Sequence, residues 1–418
     1  MIATSDSGRW GRLTRRGLLK GAGIAGAGLG LGAGGFVLGR EEASATDGTG
    51  TVPFWGKRQA GIVTEAQDRL HFAGFDVTTE DREELRELLI EWTEAAARMT
   101  AGEPVGERNE EQLLPPDDTG EAFGHLPSRL TVTFGFGPTL FERDGKPRFG
   151  LEGKRPRALK QLGPLPAEAI DPARSGGDLC VQACSDDPQV AFHAVRNLAR
   201  IGRGRVVMRW SQLGFGRTST TTRAQDTPRN LMGFKDGTNN IRAEDEEALE
   251  EFVWVGAEGP DWLRGGTYLV ARRIRMLIEV WDRATLVDQE LTIGRAKYSG
   301  APLGGSDEFD TPDLGAREGG DPVIPDNAHI RLASPEETKT RILRRGYSFT
   351  DGFDEVTAQL DAGLFFISFQ RDPEQFAAIQ RNLGRDALNE YIKHTSSAVF
   401  AIPPGVEEGG FIGEGLFA

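Results

Sequence analysis

Two short segments of the sequence carry side chains that could do chemistry. In the first, LMGFKDGTNNIR at residues 231–242, Asp236 stands directly before Gly237 in a polar stretch. An Asp-Gly pair is enough to make a turn, because glycine accepts a positive φ and aspartate hydrogen-bonds its own backbone. A turn is therefore the simplest interpretation of Asp236, and the rest of the chain must indicate whether its carboxylate has a further role.

The second segment, NAHIRLASP at residues 327–335, follows a long loop rich in Gly, Pro and Asp at residues 300–326. Loops of this length are uncommon unless they serve a site. His329 and Arg331 are two residues apart, which places them on one face if the segment is extended. One histidine with a nearby arginine is what a b-type haem needs, an axial ligand and a cation for a propionate.

The other histidines favour structural or surface roles. His71 lies in a predicted strand, His193 in a predicted helix and His394 near a predicted helix end. The five histidines, at positions 71, 125, 193, 329 and 394, are too few and too scattered for an obvious multi-histidine metal centre.

The first 45 residues are interpreted as an export signal. Arg15 and Arg16 form a twin-arginine pattern, a weakly hydrophobic Gly/Ala run follows at residues 21–39, and Ala43-Ser44-Ala45 is an A-x-A cleavage site. A membrane anchor is the alternative, but the run is short and its glycines suit hydrocarbon poorly. The twin-arginine route carries folded proteins, often with a cofactor already inserted, so the signal is the first indication of a cofactor.

Composition and cysteine usage narrow the class of protein. The 418 residues exceed one typical domain, and the hydrophobic and charged fractions of 38% and 27% are those of a soluble globular chain. The net charge of −14 argues against a nucleic-acid partner. Cys180 and Cys184 lie on one predicted strand about 13 Å apart, too far for a disulfide, so we expect free, buried thiols.

The elements that must position these residues form two similar halves, divided near Gln225. The first half predicts strands at 69–77, 130–136, 178–185 and 204–212, with helices at 79–99, capped by Thr79, and at 188–201. This order, β-α-β-β-α-β, is ferredoxin-like. The second half predicts strands at 267–278, 363–370 and 397–402, with helices at 282–293 and 373–383. We therefore expect an α+β protein of two ferredoxin-like domains, 46–225 and 226–418, after a signal peptide at 1–45.

At this point the motifs resemble a known family. GFKDGTNN is similar to the G-x-x-D-G motif of dye-decolourising (DyP-type) haem peroxidases, and NAHIRLASP, RILRRGYSF and LFFISFQRDPEQF resemble its later landmarks in order. The resemblance spans most of the chain and is closest to the exported deferrochelatase/peroxidase branch. It implies two ferredoxin-like domains of the dimeric α+β barrel type, the C-terminal one binding haem b, and a peroxidase that uses hydrogen peroxide to oxidise dyes, phenols or other bulky donors.

The resemblance also implies site residues. Asp236 matches the distal acid/base, His329 the iron ligand and Arg344 the distal arginine, with the adjacent Arg345 as the alternative. Further positions expected at the haem are Gly237, Thr238, Asn239, Arg295, Arg331, Ser334 and Pro335. Asp372 is the candidate for the carboxylate that accepts the proton of the His329 imidazole.

Three questions stay open at the level of sequence. The same pocket could remove iron from haem, as in a deferrochelatase with iron-uptake partners, or the chain could be an exported binding protein without enzyme activity. Trp254, Trp262 and Tyr347 could relay electrons, although core packing is the more common role of such residues. Export implies the twin-arginine machinery and a periplasmic, extracellular or cell-envelope location, and the oligomeric state, including a homodimer, is not determined.

Overall fold

The computed structural model describes residues 50–107 and 112–418. The predicted twin-arginine pattern and A-x-A site at residues 1–45 lie outside the described residues. Within the described ranges, no helix is both long enough and apolar enough to cross a membrane.

The N-terminal half contains the predicted β-α-β-β-α-β order. Its four strands are β1 (Arg69–Val77), β2 (Thr131–Phe136), β3 (Leu179–Ser185) and β4 (Val206–Arg217), and its two helices are α1 (Arg82–Thr100) and α2 (Pro188–Ile201). Pro188 opens α2 as predicted, because proline at the first helical position loses no hydrogen bond there. The predicted cap Thr79 is wrong: Asp81 caps α1, and its carboxylate accepts the N–H groups of Glu83 and Glu84.

The C-terminal half repeats this order around a longer connection. Helix α3 (Glu246–Phe252) precedes strand β5 (Thr267–Met276) and helix α4 (Leu286–Ile293); strands β6 (Tyr347–Asp354) and β7 (Gln359–Gln370), helix α5 (Pro373–Asn382) and strand β8 (Ile392–Ile402) follow. Short helical turns lie at Pro138–Phe141, Ile278–Trp281, His329–Leu332 and Pro335–Thr338. Two pairs of two-residue strands are formed by Glu142–Arg143 with Lys146–Pro147 and by Arg317–Glu318 with Asp321–Pro322. The 3-10 turns lie at Glu152–Lys154, Pro172–Arg174, Asp261–Leu263, Leu383–Arg385, Ala387–Glu390 and Glu414–Leu416.

Strand β6 was not predicted. Its first three residues are buried, but the following TDGF segment is exposed and contains Gly352, so the sequence lacks the apolar alternation of a strand. Pairing with β7 nevertheless orders the whole segment, from Tyr347 opposite Phe365 to Asp354 opposite Gln359. The C-terminal half therefore has four strands, which completes its ferredoxin-like order.

Apart from the two short two-residue pairs, the strands of the described residues form one antiparallel sheet that closes on itself. Around the ring the order is β7, β6, β4, β1, β3, β2, β8 and β5, and β5 pairs with β7 again; the two-residue strand Leu343–Arg344 extends the β6 side of β7. Each half contributes four strands in the order expected of a ferredoxin-like sheet. The halves meet where β6 pairs with β4 and where Ala401 of β8 lies opposite Phe136 of β2. The predicted α+β fold of the barrel type is confirmed.

Two apolar layers stabilise the barrel. The inside is filled by large side chains such as Phe72, Phe365 and Phe400, with ring centroids 5.4 and 6.2 Å from Phe72. Cys180 and Cys184 belong to this layer and are buried and free, as predicted. Outside the N-terminal strands, α1 and α2 pack through a second apolar cluster. The outer face of the C-terminal strands carries the cavity described next.

Candidate active site

A cavity of about 840 Å³ lies against the outer face of the C-terminal strands. This volume is typical of a site for a small molecule or cofactor. Its walls come from β5, β7, β8, α4 and α5, and they are largely apolar. The apolar residues of these elements that line it are Ile274, Met276, Ile293, Leu364, Phe366, Phe376, Ile379 and Ile392.

Asp236 reaches this cavity from a loop without regular secondary structure. One carboxylate oxygen, Oδ1, accepts a hydrogen bond from Nη1 of Arg344 at 2.7 Å, and Oδ2 accepts one from Nδ2 of Asn230 at 3.2 Å. The backbone N–H of Asp236 donates to the carbonyl of Pro228 at 3.0 Å. The carboxylate is therefore held at the cavity by a cation and an amide, which a simple turn does not require.

Gly237 forms the backbone bend directly after Asp236. Its φ of +92° lies in the region that favours glycine, and a Cβ at this position would be 2.8 Å from Cα of Ser219. Both restrictions exclude a larger residue without movement of the backbone. The glycine of the Asp-Gly pair is thus required by close packing as well as by the turn.

The structure separates the two adjacent arginines. Arg344 lines the cavity beside Asp236, whereas Arg345 is fully buried and donates to the carbonyl of Thr64 and the side chain of Gln67. Asn240 fixes the backbone of Arg344, because its amide accepts the Arg344 N–H and donates to the Arg344 carbonyl, both at 2.8 Å. Of the two predicted alternatives for the distal arginine, Arg344 is the one with access to the cavity.

His329 enters the cavity from the helical turn His329–Leu332. Its Nδ1 is 2.6 Å from Oδ2 of Asp386, and 32% of its side chain is exposed. Burial lowers the pKa of His329, but the Asp386 carboxylate raises it more; Asp236 adds to the rise and Arg344 opposes it, so the pKa lies above its ordinary value. Because Asp386 occupies Nδ1, Nε2 is the nitrogen available to a ligand.

The geometry corrects two expectations around His329. Arg331 does not share its face, because the segment is helical rather than extended. Its guanidinium is buried and donates to the carbonyls of Ile324 and Pro325, so it braces the loop instead of facing the cavity. Asp372 caps α5 by accepting the N–H of Glu374, and the carboxylate that contacts His329 is Asp386.

The remaining predicted site residues lie around the same cavity. Arg295 is buried and donates from Nη1 to the carbonyls of Gly300 and Glu308 at 2.7 and 2.9 Å. Ser334 accepts the N–H of Glu336 and so begins the turn Pro335–Thr338. The predicted residues that line the cavity are Asp236, Gly237, Thr238, Asn239, Arg295, His329, Ser334, Pro335 and Arg344.

Comparison with known proteins decides the family. The N-terminal model of Dyp-type peroxidase matches residues 59–216, and the C-terminal model of Dyp-type peroxidase matches residues 227–407. The chain belongs to the Dyp-type peroxidase family. This enzyme is therefore a haem peroxidase that consumes hydrogen peroxide and an electron donor, and its cofactor is haem b. The alternative of a binding protein without enzyme activity is wrong.

Individual relatives agree with this assignment. The chain is 38% identical over 364 residues to a deferrochelatase of Yersinia pestis bv. Antiqua, covering 85% of this chain and 82% of the relative. It is 36% identical to the deferrochelatase of Escherichia coli K12, covering 85% and 84%. Among solved structures, a DyP-type peroxidase from Streptomyces coelicolor is 41% identical with a TM-score of 0.80, and the match covers 89% of this chain and 99% of that one. Ferric DtpA from Streptomyces lividans is 40% identical with a TM-score of 0.80, and the match covers 90% of this chain and 100% of that one.

The cavity of this Dyp-type peroxidase has the side chains that haem requires. Apolar walls suit the porphyrin, Nε2 of His329 suits iron, and arginines suit the propionates. Arg242 is the clearest of these: it lines the cavity, and within the described part of the chain its buried Nε has no hydrogen-bond partner. A buried donor of this kind needs an acceptor, and a carboxylate can supply one. The residues present thus fit the cofactor.

Several residues of the peroxidase site were not predicted. Asn230 contacts the side chain of Asp236, Asp386 contacts the side chain of His329, and Asn240 contacts the backbone of Arg344. Asn230 and Asn240 lie within or beside the quoted motif, so an Asn-rich loop beside the predicted acid was an available signal. Asp386 gave no such signal, because it is 57 residues from His329 and meets it only in the fold.

The other histidines are all engaged elsewhere or buried. His125 contacts Asp187 at 3.0 Å and His193 contacts Asp118 at 2.8 Å, while His71 stacks on Phe192. His394 is not near a helix end as predicted; it lies in β8, lines the cavity and approaches Gln380 at 3.2 Å. Burial lowers the pKa of His394 to about 3, so it is neutral at ordinary pH.

Proposed function

We propose that this peroxidase uses Asp236 as the proton-transferring group for hydrogen peroxide and His329 as the ligand of the haem iron. The observation that carries the proposal is the contact of 2.7 Å between Asp236 and Arg344 in the same cavity as His329. The electron donors would be dyes, phenols or other bulky compounds.

Haem, when bound, supplies the iron at which peroxide is reduced. Peroxide must lose a proton from one oxygen and receive it on the other before its O–O bond breaks, and a carboxylate within reach can do both. Asp236 is held ready for this by Asn230 and Arg344. Arg344 would stabilise negative charge on the departing oxygen without exchanging protons, since guanidinium stays protonated.

Asp386 would act through His329. A hydrogen bond from Nδ1 to a carboxylate fixes the orientation of the imidazole and makes its other nitrogen a stronger ligand. We also infer that Arg242 holds a haem propionate, because its buried Nε lacks an acceptor within the described residues. Arg295 is less suited to this role, since its Nη1 already donates to two carbonyls.

The test of the proton-transfer role is Asp236→Asn. An amide cannot exchange the proton, so we expect the reaction with peroxide to slow by roughly 10²- to 10⁴-fold while the resting haem spectrum stays nearly intact. Stopped-flow mixing with peroxide from pH ~4 to 7 measures this. The control Asp313→Asn removes an exposed loop carboxylate that contacts the nearby Gly315 N–H and should react at the wild-type rate. A wild-type rate in Asp236→Asn would mean that the aspartate serves only the turn.

The pH dependence follows from the same role. Asp236 must be ionised to accept the proton of peroxide, and the oxidation of one-electron donors would be easier in acid. Dye oxidation should therefore peak at acid pH, roughly 4 to 5. A maximum above pH ~6 would instead point to a histidine as the acid/base.

Removal of iron from haem is the second candidate function. Its support is the deferrochelatase name of relatives that are 36% and 38% identical over most of both chains. Incubating the protein with haem under reducing conditions and extracting the porphyrin separates the two activities. Metal-free porphyrin would favour the deferrochelatase, whereas haem recovered intact would favour the peroxidase alone.

We further propose export by the twin-arginine route to the periplasm or cell envelope, with the mature chain beginning near Thr46. Its support is the Arg15-Arg16 pair and the Ala43-Ser44-Ala45 site. Replacing both arginines by lysine should leave the protein in the cytoplasm, as fractionation would measure. Iron-uptake partners and a homodimer stay predictions.

The domain boundary near Gln225 and the electron relay also stay proposals. The boundary is supported by the end of β4 at Arg217 and the start of β5 at Thr267. Trp254, Trp262 and Tyr347 are all buried in apolar clusters, which supports packing as their first role.

A further inference from the structure

Glu308 connects the long loop at residues 300–326 to the loop that carries Asp236. Its side chain is 9% exposed, and both carboxylate oxygens have partners. Oε2 is 2.6 Å from Nζ of Lys235, and Oε1 accepts a hydrogen bond from Oγ1 of Thr238 at 3.0 Å. One side chain therefore holds the residue immediately before Asp236 and the residue two positions after it.

These contacts matter because the Asp236 loop has no regular secondary structure. Its backbone is held by a few local hydrogen bonds, such as the one from the Asp236 N–H to the carbonyl of Pro228, so side-chain contacts add to what places the Asp236 carboxylate. The bend at Gly237, with a φ of +92°, sits between the two residues that Glu308 contacts. Loss of Glu308 would remove one side-chain contact on each side of this bend.

Glu308 is itself firmly placed. Nη1 of Arg295 donates hydrogen bonds to the carbonyl of Gly300 at 2.7 Å and to the carbonyl of Glu308 at 2.9 Å. The Arg295 guanidinium therefore holds the two ends of residues 300–308 close together. Arg295 is buried and lies next to α4, which ends at Ile293. The chain of contacts thus runs from α4 through Glu308 to the Asp236 loop.

We propose that Glu308 is a positioning residue for the reaction with peroxide, setting the place of the Asp236 carboxylate through Lys235 and Thr238. The inference rests on the proposed role of Asp236 and extends it to the long loop. Glu308 is not a second acid/base, because its oxygens are occupied by Lys235 and Thr238.

The neighbours of Glu308 favour its ionised form. Burial raises the pKa of Glu308, but hydrogen bonds from Lys235, Thr227 and Thr238 lower it more, and the pKa lies below its ordinary value. Lys235, Asp236 and Arg242 are charged residues of the neighbouring loop, and Arg295 is a charged residue of the adjoining segment.

The primary test is Glu308→Ala in the haem-loaded enzyme, mixed with peroxide in a stopped-flow instrument. A carboxylate misplaced by about 1 Å can cost 10²-fold in rate, so we expect the peroxide step to slow by roughly 10- to 100-fold. Haem content and the resting spectrum should stay those of the wild type. Glu318→Gln is the matched control, because it changes an exposed carboxylate of the same loop.

A double-mutant cycle distinguishes positioning from general damage. If Glu308 acts through Asp236, adding Glu308→Ala to Asp236→Asn should slow the reaction no further than Asp236→Asn alone. Two effects that multiply would overturn the proposal. Glu308→Gln offers a milder variant: its amide oxygen can still accept from Thr238 but loses the charge that Lys235 needs, so its rate should lie between those of wild type and Glu308→Ala.

The outcomes separate this inference from the proposed function. If Asp236→Asn is slow but both Glu308 variants react at the wild-type rate, the positioning role is wrong and the function stands. If Asp236→Asn itself reacts at the wild-type rate, the proposed proton-transfer role of Asp236 and the inference both fail. Faster hydrogen exchange of the peptide containing residues 230–242 in Glu308→Ala, but not in Glu318→Gln, would support positioning; unchanged exchange would oppose it.

Discussion

The outer faces of the two half-sheets are covered in different ways. In the N-terminal half, α1 and α2 lie directly on the strands, and Trp92 fills the space with rings 5.2 Å from Phe75 and 5.8 Å from Phe134. In the C-terminal half, the corresponding strands present Ile274 and Leu364 to the 840 Å³ cavity. The same strand order therefore supports a filled apolar core in the N-terminal half and a cavity in the C-terminal half. We call the N-terminal half, before residue 225, the solid half, and the C-terminal half, after residue 225, the hollow half.

The lengths of the covering elements account for part of this difference. Helices α1 and α2 have 19 and 14 residues, whereas α4 and α5 have 8 and 10. Because a helix rises 1.5 Å per residue, the C-terminal pair covers much less of its sheet. The long connection from β5 to β6 supplies His329 and Glu308 at the edge of the space that is left. Function therefore depends on how the fold is covered rather than on the fold itself.

The largest effect should come from removing the proposed ligand in the hollow half. His329→Ala removes the imidazole proposed to bind the haem iron, so we expect the purified protein to lose most of its haem or to show a strongly shifted Soret band. The ratio of haem to protein measures this. His125→Ala and His193→Ala, which change histidines of the solid half, should keep the wild-type ratio. Unchanged haem in His329→Ala would transfer the role to His394, which also lines the cavity.

A matched pair of leucines tests the comparison directly. Leu198 of α2 is fully buried in the solid half, and Leu198→Ala should lower the free energy of unfolding by about 2 to 5 kcal/mol without altering the haem spectrum. Leu364 faces the cavity, so Leu364→Ala should cost less stability but change the haem affinity or the Soret band. Urea unfolding and absorption spectra of the haem-loaded variants measure both. Equal costs with unaltered spectra would mean that the two halves do not differ as described.

A pH effect on stability should also arise in the solid half. Burial lowers the pKa of His71, on the outer face of β1, to about 4. Below pH ~6.5 His71 becomes protonated in the unfolded chain but stays neutral in the folded chain. The folded state therefore loses stability as pH falls from 6.5 to about 4. The loss from this group is at most about 3 kcal/mol.

The variant His71→Phe keeps the ring that stacks on Phe192 but cannot titrate. Its stability should therefore fall less steeply between pH ~6.5 and 4 than that of the wild type, while the two proteins should be closer above pH ~7. Unfolding midpoints across this range give the comparison. Parallel curves for the two proteins would rule out a contribution from His71.

The sequence predicts the solid half more accurately than the hollow half. The bounds of β1 and α2 match prediction because alternating and helical apolar patterns are local properties of the chain. Strand β6 escaped prediction because half of it is polar and exposed, and only pairing with β7 orders it. Predictions fail where long-range pairing, rather than local pattern, determines the conformation.

The same distinction applies to the site. Asp236, His329 and Arg344 were found from motifs, but they come from three separate segments whose meeting the sequence does not encode locally. Arg331 was misplaced because its segment is helical rather than extended. The partner of His329 was misassigned to Asp372 because two aspartates, at positions 372 and 386, both begin helical segments and look alike in sequence.

The smallest expected effect separates these two aspartates. Asp372 caps α5 at the edge of the hollow half, so Asp372→Ala should lower the free energy of unfolding by about 1 kcal/mol and leave the haem spectrum unchanged. Asp386 also caps a short turn by accepting the N–H of Leu388, but its other oxygen contacts Nδ1 of His329. Asp386→Asn should therefore weaken haem binding by roughly 10- to 100-fold or shift the Soret band, because an amide supports the imidazole less well than a carboxylate. Haem titration of both variants measures the difference. If Asp372→Ala altered haem binding as much as Asp386→Asn, the contact between His329 and Asp386 would not be what holds the ligand, and general loosening of the segments around the cavity would explain both results.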